Sequence, residues 1–100
     1  MGEHVMTVGQ HVTLRFERHP NGGPITRAAA VKKTEGQRAQ FRCVDSLPYP
    51  AVWDFRRLLP GQEVYVKTSR SWWVGRWSGG GGRNVSLIEL TRCEDPRFSS

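Results

Sequence analysis

The sequence predicts an all-β protein in which two small barrel-like units are packed together. A seven-residue motif, G-Q-x-V-x-(L/V)-(K/R), occurs twice, at Gly9–Arg15 and at Gly61–Lys67. Short segments of alternating apolar and polar residues recur at a spacing of roughly ten residues, turn-forming residues separate them, and no long helical period is present. Because a Gly-Gln turn leads naturally into a half-buried strand, two such turns predict two copies of one β unit.

The first copy contains three predicted strands. Residues 10–17 alternate apolar and polar side chains, which is typical of a strand with one buried face. Residues 25–33 include three alanines that favour a helix, but the flanking Pro and Gly leave room for only about two or three turns, so we expect a strand. Residues 38–45 alternate again, and residues 52–59 form either a short strand or a single 3₁₀ turn.

The second copy follows the same plan. Residues 64–67 alternate, and residues 72–77 form the segment of the chain that is richest in aromatic side chains. Gly79–Gly82 is expected to be a flexible connection, because glycine loses the most backbone entropy on ordering and contributes no side chain. Residues 85–90 complete the unit, and their apolar positions change phase after Leu87, which indicates a β-bulge.

These segments divide the chain into a loose leader at residues 1–7, a first unit at 8–59, a second unit at 60–93 and a polar tail at 94–100. A unit of about 50 residues is close to the size below which small domains need metals, disulfides or association, so the two units should share an interface. No apolar segment reaches the roughly 18 residues of a membrane span, and the N-terminus does not resemble a signal peptide. We therefore expect an intracellular protein, cytoplasmic or nuclear, that does not act at a membrane.

Gly61–Lys67 followed by Trp72–Trp77, which reads W-W-V-G-R-W, resembles the opening hairpin of Tudor, Agenet and related SH3-like barrels. In that group a G-x-x-V-x-(V/A)-(K/R) strand leads into an aromatic pair and then x-G-x. Residues 54–60 are similar to the x-L-R-P segment that closes such a module. The resemblance implies a tandem pair of SH3/Tudor-like modules, although the first copy has Ala28–Val31 in place of the aromatic pair.

The charge of the chain favours an anionic partner. Lys and Arg together number 15 against 9 Asp and Glu, for a net charge of +6, and most of the basic residues are arginines. The planar guanidinium group suits phosphates and stacks on bases, so we expect DNA or RNA as the partner, with a peptide or an acidic protein as alternatives. An Arg-rich composition also arises in soluble proteins without such a partner.

The predicted site consists of Tyr65, Lys67, Arg70, Trp72 and Arg76, which lie on the outward faces of adjacent strands if the hairpin forms. Exposed aromatic rings can stack bases while neighbouring cations hold phosphates, which predicts nucleic-acid binding. The resemblance to Tudor modules implies a different use, an aromatic cage for a methylated Lys or Arg built from Trp72, Tyr65 and an acidic residue. The local sequence offers no acidic partner, so this cage is the second interpretation.

Strand alternation divides the aromatic segment between the two faces of the sheet. Trp72 and Arg76 share one face, while Trp73 and Trp77 share the other with Gly75 between them. We expect Trp73 and Trp77 inside the barrel, and we expect Gly75 to make room for a large ring that crosses the strand.

Catalytic motifs are missing from the sequence, which predicts a non-enzymatic protein without catalytic residues, metal or cofactor. There is no G-x-S-x-G, no phosphate loop and no metal-ligand spacing, because Cys43 and Cys93 lie far apart. The enzymatic alternative is a ribonuclease, because small basic SH3-like barrels include toxin ribonucleases. Its active-site residues would be His11, Thr13 and Arg15, which share one strand face. A solvated strand face is the simpler interpretation of these three residues.

Overall fold

The computed structural model describes residues 6–17, 24–44, 60–81 and 83–97, and these residues form one closed barrel of antiparallel strands. The six strands are β1 (His11–Phe16), β2 (Ile25–Glu35), β3 (Arg38–Cys43), β4 (Glu63–Lys67), β5 (Trp72–Gly81) and β6 (Asn84–Cys93). Their order around the barrel is β1-β2-β3-β6-β5-β4, and β4 closes the barrel by pairing with β1. The described residues include no helix long and apolar enough to cross a membrane.

The all-β prediction is confirmed, but the expected pair of packed barrels is corrected to a single barrel. β1, β2 and β3 form an N-terminal half, and β4, β5 and β6 form a C-terminal half. The two halves join where β1 pairs with β4 and where β3 pairs with β6. A three-stranded sheet has two edges with unpaired backbone groups, and pairing the edges of one half with those of the other satisfies both.

The two Gly-Gln turns of the repeated motif make the same pair of backbone hydrogen bonds. In the first turn, the Gly9 amide donates to the Val31 carbonyl at 2.8 Å, and the Val31 amide donates to the glutamine carbonyl at 2.9 Å. In the second turn, Gly61 donates to the Trp77 carbonyl at 3.0 Å, and the Trp77 amide donates to the glutamine carbonyl at 2.8 Å. Both glycines have a positive φ, 91° and 80°, which other residues rarely adopt. The motif therefore marks equivalent positions in the two halves.

The core consists of inward-facing side chains from all six strands. Its buried members on the strands are Val12, Leu14, Phe16, Ala29, Val31, Ala39, Phe41, Cys43, Val64, Val66, Trp73, Val85, Leu87 and Leu90. The inward faces predicted for β1 and β3 are thus confirmed. Met6 is 5% exposed and packs in the same cluster, so the end of the expected loose leader belongs to the core.

Residues 25–33 form a strand, as expected, and not a helix. Ala29 is fully buried opposite Val12, and its small side chain leaves space for larger residues of the core. β2 continues to Glu35 with an irregular register between Val31 and Lys33. The element predicted at 52–59 lies outside the described residues.

The expectation of a flexible connection at Gly79–Gly82 is wrong for the described part of that segment. Gly79, Gly80 and Gly81 belong to β5 and pair with the beginning of β6. A Cβ atom at Gly80 would overlap the backbone of Asn84, and Gly79 has a φ of 146°, so the close pairing depends on glycine at both positions. Backbone pairing with β6 offsets the entropy that these glycines lose.

The β-bulge predicted in residues 85–90 is confirmed. The register between β5 and β6 shifts between Val74 and Arg76, and Glu89 has a φ of 54°, in the left-handed region. One extra residue on β6 therefore allows Leu87 and Leu90 to point into the core although they are an odd number of positions apart.

Truncation of a buried valine on β4 should destabilise the barrel far more than truncation of an exposed one. Val66 is 0% exposed and lies opposite Leu14, whereas Val44 is 47% exposed. We expect Val66→Ala to lower the free energy of unfolding by about 1–3 kcal/mol, because it removes buried apolar surface and leaves a cavity. Val44→Ala is the control and should have little effect in the same urea titration. Equal effects would contradict the assignment of Val66 to the core.

Substitution of Gly75 tests the packing between β5 and β6. Leu90 Cδ1, the Ile88 carbonyl oxygen and Leu87 Cβ lie 2.9, 3.1 and 3.2 Å from the position that a Cβ would occupy, so β6 and not a tryptophan ring fills the space. We expect Gly75→Val to destabilise the protein by about 1–3 kcal/mol through overpacking. Thr91→Val, on the exposed face of β6, should leave the melting temperature nearly unchanged. A Gly75→Val variant that melts like the parent would contradict this packing.

Candidate nucleic-acid interface

The outward side chains of β4 and β5 form a continuous surface that we call the aromatic face. Tyr65 and Lys67 on β4 alternate with buried valines, and Trp72 and Val74 lie beside them on β5. The strand register pairs Lys67 with Trp72 and Tyr65 with Val74. Two aromatic and one basic side chain of the predicted site therefore lie on neighbouring positions of one sheet.

Tyr65, Trp72 and Lys67 form one cluster on the aromatic face. The ring centroids of Tyr65 and Trp72 are 6.5 Å apart, and the ring planes meet at 75°, an edge-to-face arrangement. Lys67 Nζ lies 5.9 Å from the centroid of Trp72, within the range of a cation–π contact. Both rings are only half-buried, so the cluster presents aromatic surface and a positive charge side by side.

Arg70 lies in the turn that joins β4 to β5, directly beyond this cluster. The turn is held by the Thr68 amide, which donates to the Ser71 carbonyl at 2.9 Å, and by Thr68 Oγ1, which accepts from the Arg70 amide at 3.2 Å. An open groove of about 400 Å³ at this end of the barrel is lined by Arg70, Trp73 and Arg92 among others. The Arg92 guanidinium lies 5.6 Å from the Trp73 ring centroid, which adds a cation that the sequence interpretation did not include.

Arg76, the fifth residue of the predicted site, lies on the same outward face, opposite Glu63 and two positions beyond Val74. Its Nη1 donates to the Gly61 carbonyl at 3.0 Å, and its Nε is 3.7 Å from Glu89 Oε1. Both members of this ion pair are largely exposed, so the pair contributes little to stability and leaves the guanidinium accessible. The structure thus brings Tyr65, Lys67 and Trp72 together and places Arg70 on the adjoining turn.

The sequence interpretation missed the carboxylates beside the aromatic pair. Burial raises the pKa of the Tyr65 hydroxyl, and the nearby Glu63 and Glu17 raise it further, while Arg15 acts in the opposite direction. Glu63 shares the outward face of β4, a signal present in the strand alternation. Glu17 lies near Tyr65 only because β1 pairs with β4. This pairing places Arg15, two residues before Glu17, opposite Tyr65.

The other two tryptophans of β5 lie on its inner side. Trp73 is 5% exposed, which confirms its predicted place inside, and its Nε1 donates to Ser71 Oγ at 3.0 Å. Trp77 is partly buried against the core, and its buried indole N–H has no hydrogen-bond acceptor among the described residues. Both rings support the barrel beneath the aromatic face.

The strand face that carries His11, Thr13 and Arg15 points away from the core, as expected. Arg15 forms an ion pair with Glu17. Within the described ranges, no three His, Cys, Asp or Glu side chains are grouped closely enough to hold a metal ion.

Cys93 on β6 lies opposite Trp72 of β5, so its thiol can serve as a chemical probe of the aromatic face. Burial raises the pKa of its thiol, and the carboxylates of Glu63, Asp95 and Glu94 raise it further, because they disfavour the thiolate. We expect the rate of alkylation of Cys93 by iodoacetamide to rise at a higher pH than that of an unstructured peptide thiol. Glu63→Gln should move this profile to lower pH.

Peptide mass spectrometry separates Cys93 from Cys43, which is buried and serves as the unreactive control. A pH profile of Cys93 that matches the free thiol, or that does not respond to Glu63→Gln, would contradict the environment described for this face.

Comparison with known proteins finds no match, so the function has to be inferred from the fold and the candidate site. No protein-family model matches the chain, and no curated protein or solved structure is similar to it at a significant level. The small all-β barrel of six strands is consistent with the SH3/Tudor-like class that the sequence resembles.

Proposed function

We propose that this protein is a non-enzymatic interaction module that binds nucleic acid, DNA or RNA, through its aromatic face. The observation that carries the proposal is the cluster of Tyr65, Trp72 and Lys67, in which two half-buried rings adjoin an ammonium group. Single-stranded nucleic acids are bound by this combination, because rings stack bases while cations contact the phosphates on either side.

Each residue of the cluster has a separate role in the proposal. Trp72 provides the stacking surface, and Tyr65 borders it at nearly a right angle. Lys67 and Arg70 contact phosphates, since neither forms an ion pair with a carboxylate of the described residues. Arg76 extends the cationic track along β5, because its exposed ion pair with Glu89 can exchange for a phosphate contact.

The net charge of +6 supports the same partner, because a positive protein attracts a polyanion before contact and accelerates association. A module of this kind would act in the cytoplasm or the nucleus, where single-stranded DNA and RNA are present.

A second candidate function is a Tudor-like reader of a methylated Lys or Arg side chain. The observation in its favour is the edge-to-face pair of Tyr65 and Trp72 beside the carboxylates of Glu63 and Glu17. Rings at a steep angle with an acid nearby are the elements of an aromatic cage. Lys67 Nζ already lies over Trp72, however, and a ligand cation would have to displace it. Under this candidate the single barrel would be a member of the Tudor or Agenet group.

Replacement of Trp72 separates binding from folding. We expect Trp72→Ala to weaken binding of a short single-stranded oligonucleotide by about 1–3 kcal/mol, the contribution of one base stacked on an aromatic ring. Val74→Ala on the same face is the control, because it removes apolar surface without removing a ring. Fluorescence anisotropy titrations measure both affinities, and thermal melts show whether each variant is folded.

Two outcomes would reject this proposal. If the parent protein binds neither DNA nor RNA in a salt-sensitive way, the nucleic-acid function fails, and titration with a trimethyl-lysine peptide tests the reader instead. If Trp72→Ala and Val74→Ala weaken binding equally, the ring is not a stacking surface and the aromatic face is not the site.

A further inference from the structure

A second surface, formed by the outward side chains of β2, β3 and the first part of β6, differs in chemistry from the aromatic face. We call it the basic wall. Its outward side chains include Lys33, Arg38, Gln40, Arg42, Asn84 and Ser86. The register aligns them in rows across three strands, with Gln40 between Lys33 and Ser86, and with Arg42 beside Asn84.

The cations of the basic wall, like Lys67 and Arg70 of the aromatic face, form no ion pair with a described carboxylate. Ion pairs between described residues join Arg15 to Glu17, Arg76 to Glu89 and Arg97 to Asp95, and none of them involves the basic wall. Glu35, at the end of β2, is the one carboxylate that the described residues place on this wall. Glu35 lies opposite Arg38, so the described part of the wall carries the three cations of Lys33, Arg38 and Arg42 against one carboxylate and remains positive.

A groove of about 330 Å³ runs along this wall between β3 and the β5–β6 hairpin. It is bordered by the cations of Lys33 and Arg38 and by the carboxylate of Glu35, and its lining includes the amide of Gln40 and the hydroxyl of Ser86. Charged and neutral donors that converge on one groove suit phosphate oxygens, which accept several hydrogen bonds at once.

The spacing and composition of the wall indicate how it would contact such a ligand. Outward residues along a strand repeat at about 7 Å, so Arg38, Gln40 and Arg42 present donors in a regular line. No aromatic side chain lies on this wall among the described residues, so it offers no surface for stacking an unpaired base. A double helix, which exposes its phosphates and keeps its bases inside, fits a line of donors without rings.

We propose that the basic wall binds the sugar-phosphate backbone of double-helical nucleic acid, without regard to its sequence. This inference rests on the proposed nucleic-acid function and adds a second contact surface, separate from the aromatic face that takes unpaired bases. The wall contributes the salt-dependent part of duplex binding, and a duplex needs neither Trp72 nor Tyr65.

The experiment compares two double variants that lose the same charge. The wall variant carries Lys33→Gln and Arg42→Gln. The control variant carries Arg15→Gln and Arg97→Gln, which removes cations that already have carboxylate partners and lie outside the aromatic face. Affinity for a random-sequence duplex of about 20 base pairs is measured by anisotropy over a series of salt concentrations.

We expect the wall variant to lower the slope of log K against log salt by about 2, since each of the two lost phosphate contacts accounts for about 0.9. The control variant should change the slope by less than about one contact. A second duplex of unrelated sequence should give the same values for the parent protein. Lys33, Arg42 and Arg97 are exposed and Arg15 is half-buried, so thermal melts verify that both variants are folded.

The possible failures are distinguishable. If the wall and control variants change the slope equally, only net charge matters and the wall is not a site. If the wall variant binds duplex like the parent while Trp72→Ala loses single-stranded binding, the inference fails and the proposed function stands. If polyglutamate competes with duplex at equal charge concentration, the wall binds any polyanion and nucleic acid is not its particular partner. A parent protein that binds no nucleic acid rejects the proposed function itself.

Discussion

Closure of the sheet between β1 and β4, and between β3 and β6, is the constraint on which the rest of the structure depends. Neither three-stranded half could bury its apolar face or satisfy its edge strands alone. Pairing of the two halves completes the backbone hydrogen bonding and creates one shared core. Leu14 and Val66, at equivalent positions of the repeated motif, lie opposite each other at one of the two seams.

Closure also determines which side chains meet on the outside. The β1–β4 seam brings Arg15 and Glu17 to the side of Tyr65, so the environment of the aromatic face comes from both halves. The bulge at Glu89 shifts the alternation of inward and outward side chains along β6. Leu90 therefore points into the core, and Cys93 lies opposite Trp72. The candidate site thus depends on strand pairing between segments that are distant in sequence.

The barrel separates its charges into two environments. In one, Arg15 and Arg76 pair with Glu17 and Glu89; in the other, Lys67, Arg70 and the cations of β2 and β3 have no carboxylate within ion-pair distance among the described residues. Paired cations contribute less to the long-range electrostatic potential than unpaired ones. The positive potential that follows from the net charge of +6 is therefore stronger near the unpaired cations.

The sequence by itself determined the strand content, the inward faces of β1 and β3, the bulge in β6 and the burial of Trp73, because each follows from side-chain periodicity within one segment. It also indicated that Tyr65, Lys67 and Trp72 share a face, since they lie on two consecutive strands. Tertiary structure alone decided that the two copies form one barrel, because the pairing of strand edges is carried by backbone groups that every residue has. It likewise decided that Gly79–Gly81 is a paired strand, and which cations acquire carboxylate partners, because both depend on neighbours that are far away along the chain.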